Sequence, residues 1–171
     1  SAKVFAGTAP EVLEATWRLQ REKQGRYDRN EQGLHPGIWN PESPRKYLRH
    51  HLFGQQGARV ISTWSFCRQW KYGWSNMYTR KASDQDQDSV FPALIEPYAG
   101  EPFIAERRLL EIEGNEIDAR RAVAIAVKTT NGHEDLLFAD GRPEKTRKVA
   151  GATVSAEFAF VSKDDRGLRL A

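Results

Sequence analysis

The chain has 171 residues, a mass of 19.5 kDa and 39% hydrophobic residues, which is enough for one core and short for two full domains. No window reaches the 18 or so apolar residues that a membrane span needs, and the N-terminus lacks the pattern of a signal peptide. The single cysteine, Cys67, excludes an internal disulfide. We therefore expect one globular unit that makes no membrane contact.

The net charge of +3 is distributed unevenly along the chain. Residues 1–81 hold 14 Lys and Arg against 6 Asp and Glu, a balance of +8, whereas the remaining 90 residues hold 12 against 17, a balance of −5. All five tryptophans lie in the basic part. A positive surface attracts polyanions, although ordinary solvated charge gives the same composition.

The first predicted element is a helix that begins at Thr8 and ends at Gly25. Thr8 and Glu11 form a capping box, and the glycine supplies a stop signal. In residues 25–44 glycine and proline interrupt the chain and no period is sustained, which predicts a long loop or an arm that packs on a neighbour. We assign residues 1–58 to this helix and an irregular arm.

The stretch TWSFCRQWKYGWSNMYTR, residues 63–80, concentrates aromatic rings and positive charge. Flat rings bordered by cations stack on sugars or bases while the cations pair with carboxylates or phosphates. The candidate substrate-binding residues are Trp64, Arg68, Trp70, Lys71, Tyr72, Trp74 and Arg80. Packing of the tryptophans in the core is the alternative. A common binding face requires a turn that keeps Trp64 and Trp74 in register.

No metal site or cofactor site is predicted. The acidic loop SDQDQDS begins like a calcium loop, but Ser89 stands at the position of the turn glycine and Ile95 at the position of the bidentate glutamate. The four histidines lack the spacing that places metal ligands on one face. No glycine-rich phosphate loop or nucleophile elbow appears in the sequence.

From about residue 59 the hydrophobic pattern changes to period two, which is typical of strands. AVAIAV places bulky residues at 123, 125 and 127 and alanine between them, which predicts a strand buried on both faces. Asn131-Gly132 predicts a hairpin with a type I′ turn before HEDLLFAD. ATVSAEFAF, residues 152–160, predicts a strand with one buried face.

The segment SVFPALIEPYAGEPF contains three prolines in an otherwise apolar run. Each proline removes a backbone donor, so this strand is expected at a sheet edge or at a bulge. Several short strands without intervening helices predict an antiparallel β-sandwich over residues 59–171. The expected fold is therefore mainly β, with the helix and arm of residues 1–58 before it.

The sequence from Ser75 to Gly141, SNMYTRKASDQDQDSVFPALIEPYAGEPFIAERRLLEIEGNEIDARRAVAIAVKTTNGHEDLLFADG, resembles the C-terminal β-rich region of heparinase II/III-like polysaccharide lyases. Those proteins have a strand of the form SVF…IEPY.GEPFI followed by an A.AV.V…NG..D.L hairpin, and the likeness extends over residues 59–171. It implies a bacterial, periplasmic or secreted family in which an α/α toroid precedes antiparallel β domains. Such enzymes cleave uronate polysaccharides by β-elimination, in which a tyrosine or histidine removes the proton α to the carboxylate.

The chain departs from that plan because no run of helical hairpins precedes its β region. We therefore expect either the C-terminal portion of such a lyase, with an upstream toroid domain as partner, or a free-standing relative. In both cases the chain supports or extends the binding of acidic polysaccharide and is not catalytic alone. If the chain is itself a lyase, the candidates for acid and base are Tyr47, His51, Tyr72 and Tyr78.

Two other hypotheses remain open. The first is a structural module that packs on another domain through apolar surface and forms homo-oligomers when isolated. The second is nucleic-acid binding, which the basic aromatic half favours, although no RNP-like or helix-turn-helix pattern accompanies the charge.

Overall fold

The computed structural model describes residues 3–6, 12–18, 46–54, 57–67, 72–164 and 167–170. Regular structure in these residues consists of antiparallel strands, without a helix. The prediction of a mainly β chain is confirmed. The predicted arm of residues 25–44 lies outside the described residues.

The strands run in chain order as β1 (Lys3–Ala6), β2 (Val12–Arg18), β3 (Lys46–Phe53), β4 (Ala58–Cys67), β5 (Tyr72–Lys81), β6 (Ala93–Ala99), β7 (Ile104–Leu109), β8 (Ile112–Glu113), β9 (Val123–Thr129), β10 (Glu134–Ala139), β11 (Arg147–Val149), β12 (Ala152–Val154), β13 (Phe158–Asp164) and β14 (Gly167–Leu170). They form four sheets. Sheet A has the order β1-β4-β5, sheet B has β2-β3-β6, sheet C has β14-β13-β10-β9-β7, and sheet D has β12-β11-β8.

Strand β2 occupies Val12–Arg18, where the sequence analysis predicted a helix, and that prediction is wrong for these residues. β2 pairs with β3 along its whole length. Positions 13, 15 and 17 are apolar and positions 14, 16 and 18 are polar, so a strand pattern accompanies the helix capping signal. The long-range ladder outweighs local helix propensity here.

Sheet C lies between two hydrophobic clusters. The first joins it to sheet D and contains Ile112, Ala122, Ala124, Phe138 and Val149. The second joins it to β3 of sheet B and contains Phe53, Ile104, Ile125 and Val127. The prediction that AVAIAV is buried on both faces is confirmed, with alanines on the side of sheet D and larger residues on the side of sheet B.

The hairpin predicted at Asn131-Gly132 is confirmed, because β9 and β10 pair directly on either side of it. The turn type differs from the prediction. A type I′ turn requires a positive φ at both central residues. Gly132 has a φ of 88°, but Asn131 does not have a positive φ. The turn is instead closed by hydrogen bonds from the backbone N–H of Gly132 to Thr129 O at 3.1 Å and from Thr129 N–H to His133 O at 2.9 Å.

Residues 152–160 do not form the single strand that was predicted. β12 ends at Val154 in sheet D, and β13 begins at Phe158 in sheet C. The chain changes sheet between them, so Phe158 and Phe160 are 73% and 39% exposed instead of sharing a buried face with residue 154.

The proline-rich strand is β6, and it lies at the edge of sheet B as predicted. Its ladder with β3, like the ladder of β1 with β4, links residues up to position 58 with later residues. The division into domains of residues 1–58 and 59–171 stays a prediction.

Candidate functional site

The acid and base candidates lie on two different sheets. Tyr47 and His51 belong to β3 of sheet B, where the ring of Tyr47 stacks on Tyr98 with centroids 5.1 Å apart. Tyr72 and Tyr78 belong to β5 of sheet A. Tyr78 is 54% exposed, whereas His51 is 0% exposed. The strands therefore do not present these four residues as one group on one sheet.

His51 belongs to a buried polar network centred on Glu96, which is itself 0% exposed. Glu96 Oε2 accepts a hydrogen bond from Arg49 Nε at 2.6 Å and lies 3.0 Å from His51 Nε2. Glu96 Oε1 accepts hydrogen bonds from the backbone N–H groups of Phe103 at 2.7 Å and Ile104 at 2.8 Å. The carboxylate thus joins two strands of sheet B to the start of β7 in sheet C, and we call this arrangement the Glu96 joint.

The charges around the Glu96 joint are balanced. Arg49 also donates to Ile104 O at 2.9 Å, and its Nη1 lies 3.9 Å from Glu14 Oε2. Glu14 forms a second ion pair with Arg107 of β7. Burial raises the pKa of Glu96, but the hydrogen bonds, first that from Arg49, outweigh this effect and lower it below the ordinary value. The carboxylate of Glu96 is therefore fully hydrogen-bonded, whereas buried His51 Nδ1 has no hydrogen-bond partner and lies 3.5 Å from Glu14 Oε1.

The phrase IEPYAGEPFI, one of several that carry the family resemblance, contributes to this joint. It contains Glu96 together with the two backbone donors at Phe103 and Ile104. Neither Glu96 nor Arg49 was among the residues predicted from the sequence. The available signal was a glutamate inside an apolar, proline-bordered run, because a buried carboxylate needs charged or polar partners.

A second ionic network fastens the segment before β9 to the loop after β10. Buried Arg147 donates from Nε to Asp140 Oδ2 and from Nη2 to Glu116 Oε2, both at 2.6 Å. Hydrogen bonds from Arg147 and then Lys145 lower the pKa of Glu116 to about 2. The hydrogen bond from Arg142 likewise lowers the pKa of Asp118 to about 2. These groups are fully paired, and they stabilise loops.

The open face of sheet A carries exposed arginine and tyrosine side chains. In the β4–β5 ladder Arg59 is directly opposite Arg80, and Ile61 is directly opposite Tyr78. Both arginines and the tyrosine are exposed, whereas Ala58 next to Arg59 is buried. Among the described residues neither guanidinium has an ion-pair partner. This face therefore presents aromatic surface and unneutralised positive charge together.

The β4–β5 ladder also contains two of the predicted binding residues, Trp64 and Trp74. Trp64 is paired with Ser75, and Trp74 is paired with Ser65. The assignment of Trp64 and Trp74 to substrate binding stays a prediction. Arg68, Trp70 and Lys71 lie outside the described residues, so their assignment to substrate binding, like that of Tyr72, stays a prediction. Arg80 is the predicted binding residue that the described structure places on an exposed surface.

Comparisons with known proteins do not assign the chain to a family. No protein-family model, curated protein or solved structure matches it. In the described part there is no group of three or more His, Cys, Asp or Glu residues placed to hold a metal ion. The same residues include no helix with the length and apolar character needed to span a bilayer.

Proposed function

We propose that this chain is a C-terminal β-rich region of a heparinase II/III-like polysaccharide lyase that supports the binding of acidic polysaccharide and is not catalytic alone. The observation that carries the proposal is the enclosure of His51 at the Glu96 joint. One of the phrases that carry the resemblance supplies Glu96 to this joint. His51, a candidate for acid or base, is fully buried and lies 3.0 Å from a carboxylate oxygen of Glu96.

The sandwich arrangement is part of this proposal. Contacts of Phe53 with the group of Ile104, Ile125 and Val127 support the packing of sheet B on sheet C. Sheet D covers part of the other face of sheet C through Val149. A layered β region of this kind supplies rigid faces on which a polysaccharide binds.

The function is tested by mixing the protein with heparan sulfate and alginate, with neutral dextran as the control. Calorimetry should show binding of the two acidic polymers that weakens as salt is added, because exposed charges are screened. The ultraviolet absorbance of unsaturated product should stay constant. Turnover would overturn the non-catalytic part, and the absence of binding to either acidic polymer would overturn the binding part.

A second candidate function, a structural module that packs on another domain, is favoured by one observation. Sheet C has an apolar groove of about 490 Å³ beside exposed Phe158 and Phe160, with Leu137 and Leu94 among its lining residues. Sedimentation velocity tests this candidate. Self-association that disappears in Phe158→Ser and persists in the control Ile117→Ser, a 91% exposed site elsewhere, would favour it. A monomer at all concentrations would count against it.

A further inference from the structure

We propose that Arg59, Arg80 and Tyr78 form a binding subsite for one anionic sugar unit on the open face of sheet A. The ring of Tyr78 stacks on the sugar, and the two guanidinium groups together bind its carboxylate or sulfate. The inference rests on the proposed function and assigns that function to a specific place on the molecule.

The charge pattern of the ladders sets Arg59 and Arg80 apart from the other paired residues. Where two charged residues oppose each other elsewhere in the described strands, their charges have opposite sign, as in Lys148 with Glu113 and Lys128 with Glu134. Arg59 with Arg80 is the like-charged exception within the described ladders. Like charges directly opposite destabilise a sheet, because the Cβ atoms are only about 5 Å apart. A bound anion between the two side chains converts this repulsion into attraction.

Tyr78 precedes Arg80 by two residues on β5, so both side chains lie on the same face of the sheet, about 6.6 Å apart along the strand. A pyranose ring stacked on an exposed tyrosine presents an equatorial anionic group at this kind of distance. A guanidinium binds a carboxylate or sulfate through two parallel N–H donors, which fixes the orientation of the sugar.

The rest of this face carries apolar and polar side chains. Ile61, opposite Tyr78, gives apolar contact beside the ring. Further along the same face Asn76 Nδ2 donates to Ser65 Oγ at 2.6 Å, and Thr63 is paired with Asn76. Amide and hydroxyl groups of this kind hydrogen-bond sugar hydroxyls. The polar row therefore extends the subsite along β5 in the direction that a polymer would follow.

The test compares Arg59→Gln, Arg80→Gln and Tyr78→Ala with the wild type by titration calorimetry. Arg108→Gln is the matched control, because it removes one exposed, strand-borne arginine from sheet C. The probes are polygalacturonate, which carries only carboxylates, dextran sulfate, which carries only sulfates, neutral dextran and a single-stranded oligonucleotide. Melting temperatures are measured for every variant.

Each of the three variants should weaken binding of one or both acidic polysaccharides by about tenfold, while Arg108→Gln stays within about twofold of the wild type. Loss confined to polygalacturonate identifies a uronate carboxylate as the ligand, and loss confined to dextran sulfate identifies a sulfated sugar. The melting temperatures of the two arginine variants should be equal to the wild type or higher, because the cross-strand repulsion is removed.

Three results would overturn the subsite. Wild-type affinity in the arginine variants, with the wild type still bound to an acidic polymer, removes the subsite and leaves the proposed function standing. Equal loss in Arg108→Gln, or equally tight binding of the oligonucleotide, shows attraction by net charge. Absence of polysaccharide binding by the wild type overturns both inferences. If Arg59→Gln is poorly folded, Arg59→Lys is used in its place. This variant keeps the positive charge but should bind the acidic polysaccharide more weakly, because lysine lacks the bidentate donors of arginine.

Discussion

Four donors converge on the carboxylate of Glu96, two from side chains and two from the backbone. Glu96→Gln preserves the size of this side chain but turns an acceptor oxygen into an amide donor that faces Arg49 and His51. Removal of one partner from a buried ionic network costs about 3–5 kcal/mol, since the remaining charge is left uncompensated. We expect a loss of about 3 kcal/mol in the free energy of unfolding, measured by urea titration.

The matched control is Glu101→Gln, the same substitution at an exposed position in the connection between β6 and β7. It should change the free energy of unfolding by no more than about 0.5 kcal/mol. An equal effect of the two substitutions would show that the hydrogen bonds to Glu96 have no net stabilising role.

Ala150 offers the opposite kind of test, a substitution that stabilises. It has a φ of 51° in the two-residue loop Ala150-Gly151 between paired Val149 and Ala152. An L-residue in this left-handed conformation costs about 1–2 kcal/mol relative to glycine. Ala150→Gly should raise the free energy of unfolding by about 1 kcal/mol, partly offset by backbone entropy. Both variants are measured by thermal unfolding. The control Ala152→Gly, in the adjacent strand, should lower the free energy of unfolding. A lower free energy of unfolding in both variants would contradict the stabilising effect expected at position 150.

Residue-level function was the hardest part to predict from the sequence. Glu96 acquires its role from Arg49 and His51, which are 47 and 45 positions away, so no local pattern reports it. The same holds for the proposed subsite, because only the β4–β5 register places Arg59 opposite Arg80. Residue type and spacing identified aromatic and basic candidates, but the alignment of strands decides which of them share a face.

At the level of elements, local alternation was informative where it agreed with tertiary packing. β9 was predictable because bulky β-branched residues and alanines alternate without interruption, as a strand covered on two sides requires. β2 was not, because a capping signal precedes it and its partner β3 begins 28 residues after β2 ends. β12 and β13 were predicted as one strand, because the alternation of apolar and polar residues continues where the chain changes sheet.

The segment of residues 114–122 and the loop of residues 140–147 should separate in acid. Hydrogen bonds to arginine and lysine lower the pKa of Glu116 from 4.5, and that of Asp118 from 3.8, to about 2. Because the folded pKa values lie below the unfolded ones, the stabilisation is present above about pH 4.5 and is lost as the pH falls towards about 2. The melting temperature should decrease across that window.

Replacing both acids, Glu116→Gln with Asp118→Asn, should flatten the dependence of the melting temperature on pH between about 4.5 and 2. Glu144→Gln, at an exposed position in the same loop, is the control and should leave the slope unchanged. A double variant with the wild-type slope would assign the acid sensitivity to other carboxylates.

For the whole molecule, the contacts between sheets B and C predict one cooperative unfolding transition. All five tryptophans lie at or before residue 74, so their fluorescence reports on the first half of the chain, whereas far-ultraviolet circular dichroism reports on every strand. The Phe53 cluster and the hydrogen bonds of Arg49 and His51 to Glu96 connect the two halves. Both signals should therefore change with the same midpoint.

The substitution Phe53→Ala tests whether the two halves of the chain unfold together, because Phe53 lies in the hydrophobic cluster that they share. Loss of this buried ring should cost about 3–5 kcal/mol and shift both signals equally, because its contacts lie on sheets B and C. Separate midpoints, or a shift of the fluorescence alone, would support independent units divided near residue 58.

The Glu96 joint also affects how relatives of this chain are recognised. A sequence that keeps this glutamate and the backbone at Phe103 and Ile104 preserves the hydrogen bonds of the joint, whatever residues occupy the exposed positions. A search with the phrase IEPYAGEPFI therefore selects for the residues of this joint and carries no information on the exposed residues of sheet A. Under the proposed subsite, ligand preference is instead encoded at positions 59, 78 and 80, so homologues grouped by those three residues should differ in specificity more than homologues grouped by the phrase.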